Sequence, residues 1–259
     1  MTITCSNEIP KNPGDRMIDI EKESKHFIDN FDKRLLLLCE SGSGTYGFRS
    51  EGSDLDLRGV FVENIDRLLS LHPGSDVIDG FSDDRMVDWQ IFELKKFLGL
   101  LTKPNFNVLE WVYTPLQIIP LPHEIKEIAN ESLSQRIGNH VRGWTYSIHK
   151  MDWRDPKKCL YAIRPLMSYI NLCERKEFIS DITVLSPRFG LEDHVDTLIE
   201  LYRSNKSVNH TMRMKNMRIY EDFTESSYQI EKDSWLPEKP SIKAIGMANK
   251  FIIRTRIVG

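Results

Sequence analysis

The segment of residues 39–62, CESGSGTYGFRSEGSDLDLRGVFV, restricts the fold of this chain more than any other feature. It contains a Gly-Ser pair at Gly42 and Ser43, then ten residues, then the pair Asp54 and Asp56 within an apolar stretch. A glycine has no Cβ, so a Gly-Ser turn lets backbone N–H groups approach a phosphate closely. Two carboxylates on one face of a strand are suited to Mg²⁺, which itself binds phosphate oxygens. The segment therefore indicates phosphate chemistry.

The residues on either side of the Gly-Ser pair have the patterns of regular structure. Arg34–Cys39 is a short apolar run, which is typical of a strand buried on both faces. Thr45–Arg49 is predicted to form one or two helical turns, which would place Ser43 near a helix N-terminus that favours an anion. Asp54–Val62 alternates with a period of two, so both aspartates are expected on one side of a strand. Carboxylates about 7 Å apart repel one another unless a cation lies between them.

Neither half of this pattern is informative alone. A Gly-Ser pair is most often only part of a loop, and an Asp-x-Asp pair is usually a solvated strand face or a turn, because charged residues are mostly exposed. The two halves in tandem, between a buried strand and an apolar strand, are much more specific because the context matches the motif.

This arrangement resembles the nucleotidyltransferase superfamily typified by DNA polymerase beta, whose members have a Gly-Ser turn followed by Asp-x-Asp. The longer pattern of residues 42–60, GSxxYG followed by SDxDxRGV, is similar to a bacterial and phage branch associated with RNA repair. Residues 88–97 and 103–110 resemble that branch's strand-to-helix segment and its Asn-x-Asn-x-Leu-Glu signature. Asp155-Pro-Lys157 resembles its later Asp-x-Lys helix, although this chain has Tyr161 where a histidine is usual.

The resemblance implies a metal-dependent transfer of a nucleoside monophosphate from an NTP to a hydroxyl group. Asp54 and Asp56 would hold Mg²⁺ (or Mn²⁺), and Asp88 would be the third metal ligand and the group that activates the acceptor. Asp83 and Asp84 are alternatives to Asp88, but they lie in a turn-rich stretch where aspartate is common. Asp88 is favoured because an ordered strand positions a ligand better than a loop does.

Other side chains are candidates for phosphate contacts. Gly42 and Ser43 would bind the β and γ phosphates of the NTP, and Arg58 would either assist them or form a structural salt bridge with Asp56. Lys157 would reach the triphosphate from the far side of a cleft, or be solvated like most helix-surface lysines.

Three further sites are open to two interpretations each. Arg164 has the same alternatives as Lys157. Glu110 would be either a partner for a basic side chain or a wall of the active site. The basic segment 213–218 would contact an RNA backbone or be ordinary surface.

The predicted fold class is α+β, with two domains. A small mixed-sheet domain like the polymerase-beta palm is expected over residues 1–118, followed by an all-helical domain over residues 119–259. The predicted helices are Arg16–Asp32, Phe92–Leu101, Asn107–Tyr113, His123–Met151, Asp155–Lys176, Leu191–Ser204 and Pro240–Ile257.

Charge is distributed unevenly along the 259 residues, which carry a net charge of −3. Residues 1–120 hold 13 basic and 20 acidic residues (−7), whereas residues 121–259 hold 22 and 18 (+4). An acidic first half fits a metal site, and a basic second half fits a grip on nucleic acid or triphosphate, or simply a solvated surface. Four cysteines without paired spacing, no secretion signal and no apolar run near the roughly 20 residues of a membrane span favour a cytoplasmic protein.

The expected acceptor is an RNA 3′ end, tRNA-like or otherwise. This expectation rests on the resemblance alone, because a fold does not determine a function. One alternative is a protein adenylyltransferase that attaches AMP to Tyr, Ser or Thr, as antitoxin-type enzymes with the same motif spacing do. The other is a catalytically silent nucleotide-binding or RNA-binding adaptor, which the presence of both motif aspartates disfavours. Neither the base preference nor the oligomeric state is encoded in these motifs.

Overall fold

The structure is a computed structural model that describes residues 19–257, apart from residues 51 and 151. The described residues form five strands: β1 (Arg34–Glu40), β2 (Leu55–Val62), β3 (Val77–Phe81), β4 (Val87–Glu93) and β5 (Gln117–Ile119). They also form twelve α-helices: α1 (Ile20–Asn30), α2 (Gly42–Thr45), α3 (Ile65–Leu68), α4 (Leu94–Leu101), α5 (Phe106–Tyr113), α6 (His123–Ser132), α7 (Arg136–His149), α8 (Pro156–Arg175), α9 (Ile182–Leu185), α10 (Glu192–Arg203), α11 (His210–Asp233) and α12 (Ile242–Ile257).

The strands form one mixed sheet in the order β3-β4-β2-β1-β5. Strands β2 and β4 are parallel, and the other neighbouring pairs are antiparallel. A parallel pair needs a crossover connection, and here α3 and β3 lie between β2 and β4 in the chain. The mixed sheet followed by helices confirms the predicted α+β class.

The two faces of the sheet are covered differently. On one face, Leu55 and Leu57 are fully buried with Phe61 in a small core to which α1 contributes. On the other face, Leu37 and Val60 belong to a larger core that includes residues of α5, α7 and α8. Alternation along β2 therefore places Asp56 and Arg58 on the face that meets the helical part of the chain.

Several boundaries differ from the sequence predictions. The helix expected over residues 123–151 is two helices, α6 and α7, because Leu133 is extended and buried between them. Gln135, the residue before α7, donates its backbone N–H to the carbonyl of Pro237. Local sequence does not reveal this long-range contact. The 24-residue helix α11, which includes the basic segment, was not predicted as a separate helix. The helix expected over residues 16–32 is confirmed as α1, and residues 16–18 lie outside the described residues.

The helices α8, α10 and α12 agree with prediction to within two residues at each end. In α8 the Asp155 side chain accepts hydrogen bonds from two backbone N–H groups, and Pro156 occupies the first helical position, where its missing N–H costs nothing. Strand β5 extends to Ile119, one residue past the predicted end of the first domain. The division into two domains itself stays a prediction.

Candidate active site

The Gly-Ser turn begins directly at the end of β1. The helix α2 starts at Gly42, earlier than the predicted start at Thr45, because Gly42 adopts a left-handed φ of +63° that turns the chain sharply. Ser43 is buried at the first turn of this helix. The hydroxyl of Thr45 donates to the carbonyl of Glu40, and this hydrogen bond of 2.8 Å joins the helix to the strand.

Gly42 lies against the carboxylate of Asp56. A Cβ placed on Gly42 would be 1.8 Å from Oδ2 of Asp56, so any side chain there would force the carboxylate to move. The neighbouring Ser41 donates its backbone N–H to the carbonyl of Asp56 over 2.8 Å. The two halves of the motif, which ten residues separate in the chain, are therefore in contact.

Asp56 and Asp88 are neighbours across the parallel pair of strands. They are register partners in the ladder between β2 and β4, where adjacent strands lie about 4.8 Å apart. Val87 and Trp89 alternate with Asp88 and belong to the opposite face, as predicted. Asp54 is half-buried and lies one residue before β2.

Arg58 bridges the two strand aspartates. Its guanidinium donates to Oδ1 of Asp56 over 2.9 Å and to Oδ1 of Asp88 over 2.6 Å. The same group also donates to the carbonyl of Leu57 over 2.8 Å. Of the two alternatives from the sequence, the salt bridge with Asp56 is present, and the contact with Asp88 adds a second carboxylate that the sequence did not suggest.

The electrostatic environment of Asp56 opposes its charge. Burial raises the pKa of the Asp56 carboxyl, and the nearby carboxylates of Asp54 and Asp88 raise it further. Arg58 and Lys157 lower the pKa, but they do not cancel the effect. The site is therefore short of positive charge, and perturbed carboxylates of this kind are common at functional sites.

Asp83 and Asp84 lie in the turn between β3 and β4. Asp84 is exposed and accepts hydrogen bonds from the Ser82 hydroxyl (2.6 Å) and the Met86 backbone (3.0 Å), so it stabilises the turn. Asp83 lines a cavity of about 420 Å³ with Trp89, which belongs to the opposite face of the sheet. The geometry favours Asp88 over both as the partner of Asp56.

Lys157 lies at the start of α8, within the electrostatic reach of Asp56. Its ammonium group is 5.6 Å from the centre of the Tyr202 ring and 6.0 Å from that of Tyr161. Tyr161 packs edge-on against Tyr46 at 5.6 Å. Tyr161 also packs edge-on against Phe48 at 5.7 Å, so its ring contributes to packing behind the Gly-Ser turn.

A buried ionic cluster lies behind the Gly-Ser turn. Arg164 is fully buried and donates a short hydrogen bond to Oε1 of Glu110. The hydroxyl of Tyr46 donates to Oε2 of the same glutamate over 3.1 Å, and the Arg164 guanidinium stacks on the Tyr46 ring at 3.6 Å. Glu110 is therefore the partner of a basic side chain, the first of its two predicted alternatives. The suggestion that Arg164 reaches a triphosphate is wrong, because its side chain has no exposed surface.

The donor chemistry at the sheet fits a divalent cation. Carboxylate oxygens are the ligands that Mg²⁺ prefers, and Asp56 and Asp88 are register partners on one face of the sheet. Within the described residues, however, no group of three or more His, Cys, Asp or Glu side chains is already converged for a metal. Arg58 instead contacts one oxygen of each strand aspartate, so a metal that uses those oxygens must share them with the guanidinium or displace it.

No helix in the described part of the chain is both long and apolar enough to span a membrane. The cysteines in this part, Cys39, Cys159 and Cys173, are buried and unpaired. Burial raises the pKa of each thiol to about 12, which makes the reactive thiolate scarce at neutral pH. These residues are therefore packing groups.

Comparison with known proteins extends the resemblance over most of the chain. The chain is 27% identical to the uncharacterized protein MJ0002 of Methanocaldococcus jannaschii, over 82% of this chain and 92% of that protein. It is 24% identical to the uncharacterized protein YcgL of Bacillus subtilis, over 77% of this chain and 80% of that protein. The family model described as RlaP, RNA repair pathway DNA polymerase beta family, matches residues 14–254. The chain therefore belongs to the RNA repair pathway DNA polymerase beta family.

Proposed function

We propose that this chain transfers a nucleoside monophosphate from an NTP to a hydroxyl group, and that the acceptor is the 3′ end of an RNA. The observation that carries the proposal is the position of Asp56, which is a register partner of Asp88 and lies against Gly42. A phosphate-binding turn and two carboxylates at one place are what nucleotidyl transfer requires. Family membership supports the same reaction class.

Asp54, Asp56 and Asp88 are the residues that would hold Mg²⁺. A divalent cation bound there supplies positive charge for the phosphoryl oxygens and lowers the pKa of the attacking hydroxyl. The side chain of Asp88 is 44% exposed, compared with 20% for Asp56, so it is the better placed of the two to meet an incoming acceptor. Asp88 would accept the proton of the acceptor hydroxyl as that oxygen bonds to the α-phosphorus.

The leaving group is pyrophosphate, since the bond between the α-phosphorus and its bridging oxygen to the β-phosphate breaks. Backbone N–H groups at Gly42 and Ser43 would hold the β and γ phosphates at the start of α2. Lys157 would offset the pyrophosphate charge from the helical side. Arg58 would neutralise whichever carboxylate oxygens remain uncoordinated, and it fixes the two aspartates relative to one another.

The test is transfer of label from each of the four NTPs, radiolabelled at the α-phosphate, in the presence of Mg²⁺. Total RNA is offered in one reaction and a protein lysate in another, with the Asp54→Asn, Asp56→Asn double variant as the control. Label on RNA that disappears with the variant is the expected result, and the NTP that donates it gives the base preference. Label from ATP on a protein would instead support adenylylation. Label in neither reaction would contradict both.

A further inference from the structure

A cavity of about 530 Å³ lies beside the candidate active site, at the start of α8. Its walls come from residues 152–157 and from the end of α10 with the turn that follows it, residues 202–207. The two walls are tied together, because Val208 donates its backbone N–H to the carbonyl of Arg154 over 2.8 Å. Asn205 adopts a left-handed φ of +52° that shapes the turn. The cavity is thus built from two anchored segments.

The cavity lies next to the motif loop. Arg203, at the end of α10, donates its Nε–H to the carbonyl of Arg49 over 3.1 Å. Tyr202 lines the cavity and packs edge-on against Phe48 at 6.0 Å. Lys157 belongs to the cavity wall and also lies within the electrostatic reach of Asp56. A linear ligand held in this cavity would therefore end close to the carboxylate of Asp56.

The charge that faces the cavity is positive. Of its two carboxylates, Asp152 accepts hydrogen bonds from Arg154 on both oxygens, at 2.9–3.0 Å, and Asp155 caps the helix. Lys157 and Lys206 have no carboxylate of a described residue within ion-pair distance. Lys206 is therefore available for an anion, whereas Lys157 also hydrogen-bonds the Tyr202 side chain.

A further cation lies beyond the cavity, near the start of α11. Arg213 lies close enough to Asp152 to lower the pKa of that carboxyl, behind the larger effect of Arg154. Lys157 and Lys206 at the cavity, with Arg213 beyond it, match successive phosphates of a strand better than one small anion.

We infer that this cavity holds the phosphodiester backbone next to the 3′ end of a single-stranded RNA acceptor. This inference rests on the proposed function and adds the location of the acceptor. Lys206 contacts a backbone phosphate, Lys157 lies between the acceptor and the NTP, and Tyr202 offers a ring face near the terminal base. The terminal hydroxyl then points toward Asp88. The phosphate chemistry is shared with the triphosphate of an NTP, so the test must separate the two ligands.

The test compares Lys206→Gln with Lys250→Gln, which removes the same charge from an exposed position on α12. Binding of a 5′-fluorescein single-stranded RNA with a free 3′ hydroxyl is followed by anisotropy over a salt series, without NTP. A fluorescent ATP analogue is titrated in the same Mg²⁺ buffer. We expect Lys206→Gln to weaken RNA binding several-fold and to reduce the slope of log affinity against log salt by about 0.7, the value for one lost phosphate contact on a single strand. Lys250→Gln should match the wild type, and neither variant should change binding of the ATP analogue.

Three results would overturn the inference: unchanged RNA binding in Lys206→Gln, an equal loss in Lys250→Gln, or a loss that affects only the ATP analogue. The last would make the cavity a triphosphate subsite. These outcomes are independent of the transfer reaction. RNA binding through Lys206 without label transfer would refute the proposed function and leave this inference standing. Label transfer to RNA together with unchanged RNA binding by Lys206→Gln would refute this inference and leave the proposed function standing.

Discussion

The buried cluster of Glu110, Arg164 and Tyr46 leads to a prediction about stability. Replacing Glu110 by Gln keeps the shape of the side chain but leaves the fully buried guanidinium of Arg164 without its counter-charge. Two nitrogen atoms of that guanidinium, Nε and Nη2, already lack a hydrogen-bond partner among the described residues. Removing one member of a buried ion pair costs about 3–5 kcal/mol. That loss is a large part of the roughly 5–15 kcal/mol that stabilises a typical domain.

Equilibrium unfolding in urea measures the effect directly. The matched control is Glu124→Gln, which removes the partner of Arg254 from an exposed pair at 2.7 Å. An exposed pair of this kind contributes about 0–1 kcal/mol. We therefore expect a much lower midpoint for Glu110→Gln and a nearly unchanged midpoint for the control.

A double-mutant cycle then assigns the loss to the pair. Glu110→Gln combined with Arg164→Met should cost less than the sum of the two single changes, because the double variant has no uncompensated charge. The opposite pattern would refute the reasoning. If Glu110→Gln unfolds like the wild type but loses nucleotidyl transfer, Glu110 is a wall of the active site and the cluster is not a structural brace.

Two further predictions concern the carboxylates and the turn. Because burial raises the pKa of Asp56, the folded state resists its ionisation, so Asp56→Asn should melt at a higher temperature than the wild type at about pH 7. This difference should vanish on acidification through the unfolded pKa of about 4, where both proteins carry a neutral side chain; a lower melting temperature at neutral pH would show that the charge is needed for folding. Gly42→Ala should be destabilised well beyond Gly52→Ala in the same unfolding assay, and should lose activity. Both positions have positive φ, which costs about 1–2 kcal/mol for alanine, but only Gly42 has the carboxylate of Asp56 in the way, and a Cβ at Gly52 meets nothing within 4 Å. Equal losses would mean that contact with Asp56 does not restrict position 42.

Local sequence patterns predicted the elements that carry the candidate site. Alternation with a period of two placed Asp56 on β2 and Asp88 on β4, and a capping aspartate followed by proline identified the start of α8. These signals are short-range, since a strand face or a helix cap is determined by residues within about four positions. The Gly-Ser pair and the aspartates were singled out together because only ten residues separate the two pairs in the chain.

Long-range pairings could not be obtained in this way. Tyr46 and Glu110 are 64 residues apart, and Glu110 and Arg164 are 54 residues apart. Nothing in the local sequence of Arg164 shows that its side chain is buried rather than directed into a cleft. The bridge from Arg58 to Asp88 likewise requires the parallel pairing of β2 with β4, which follows from the packing of the whole sheet. Sequence reasoning therefore identified the residues of interest but not all of their partners.

The carboxylate–arginine cluster at Glu110 and the one at Asp56 differ in a way that bears on function. Glu110 and Arg164 are both fully or almost fully buried, one charge balances the other, and Tyr46 occupies the second oxygen. At the sheet, Arg58 faces two carboxylates and has a third nearby, so Arg58 and the more distant Lys157 together oppose three negative charges. Asp88 remains 44% exposed. Balanced and enclosed charges stabilise a fold, whereas an excess of negative charge open to solvent lowers stability until a cationic ligand binds. The unbalanced cluster at Asp56 is therefore the one that a metal-bound nucleotide would complete.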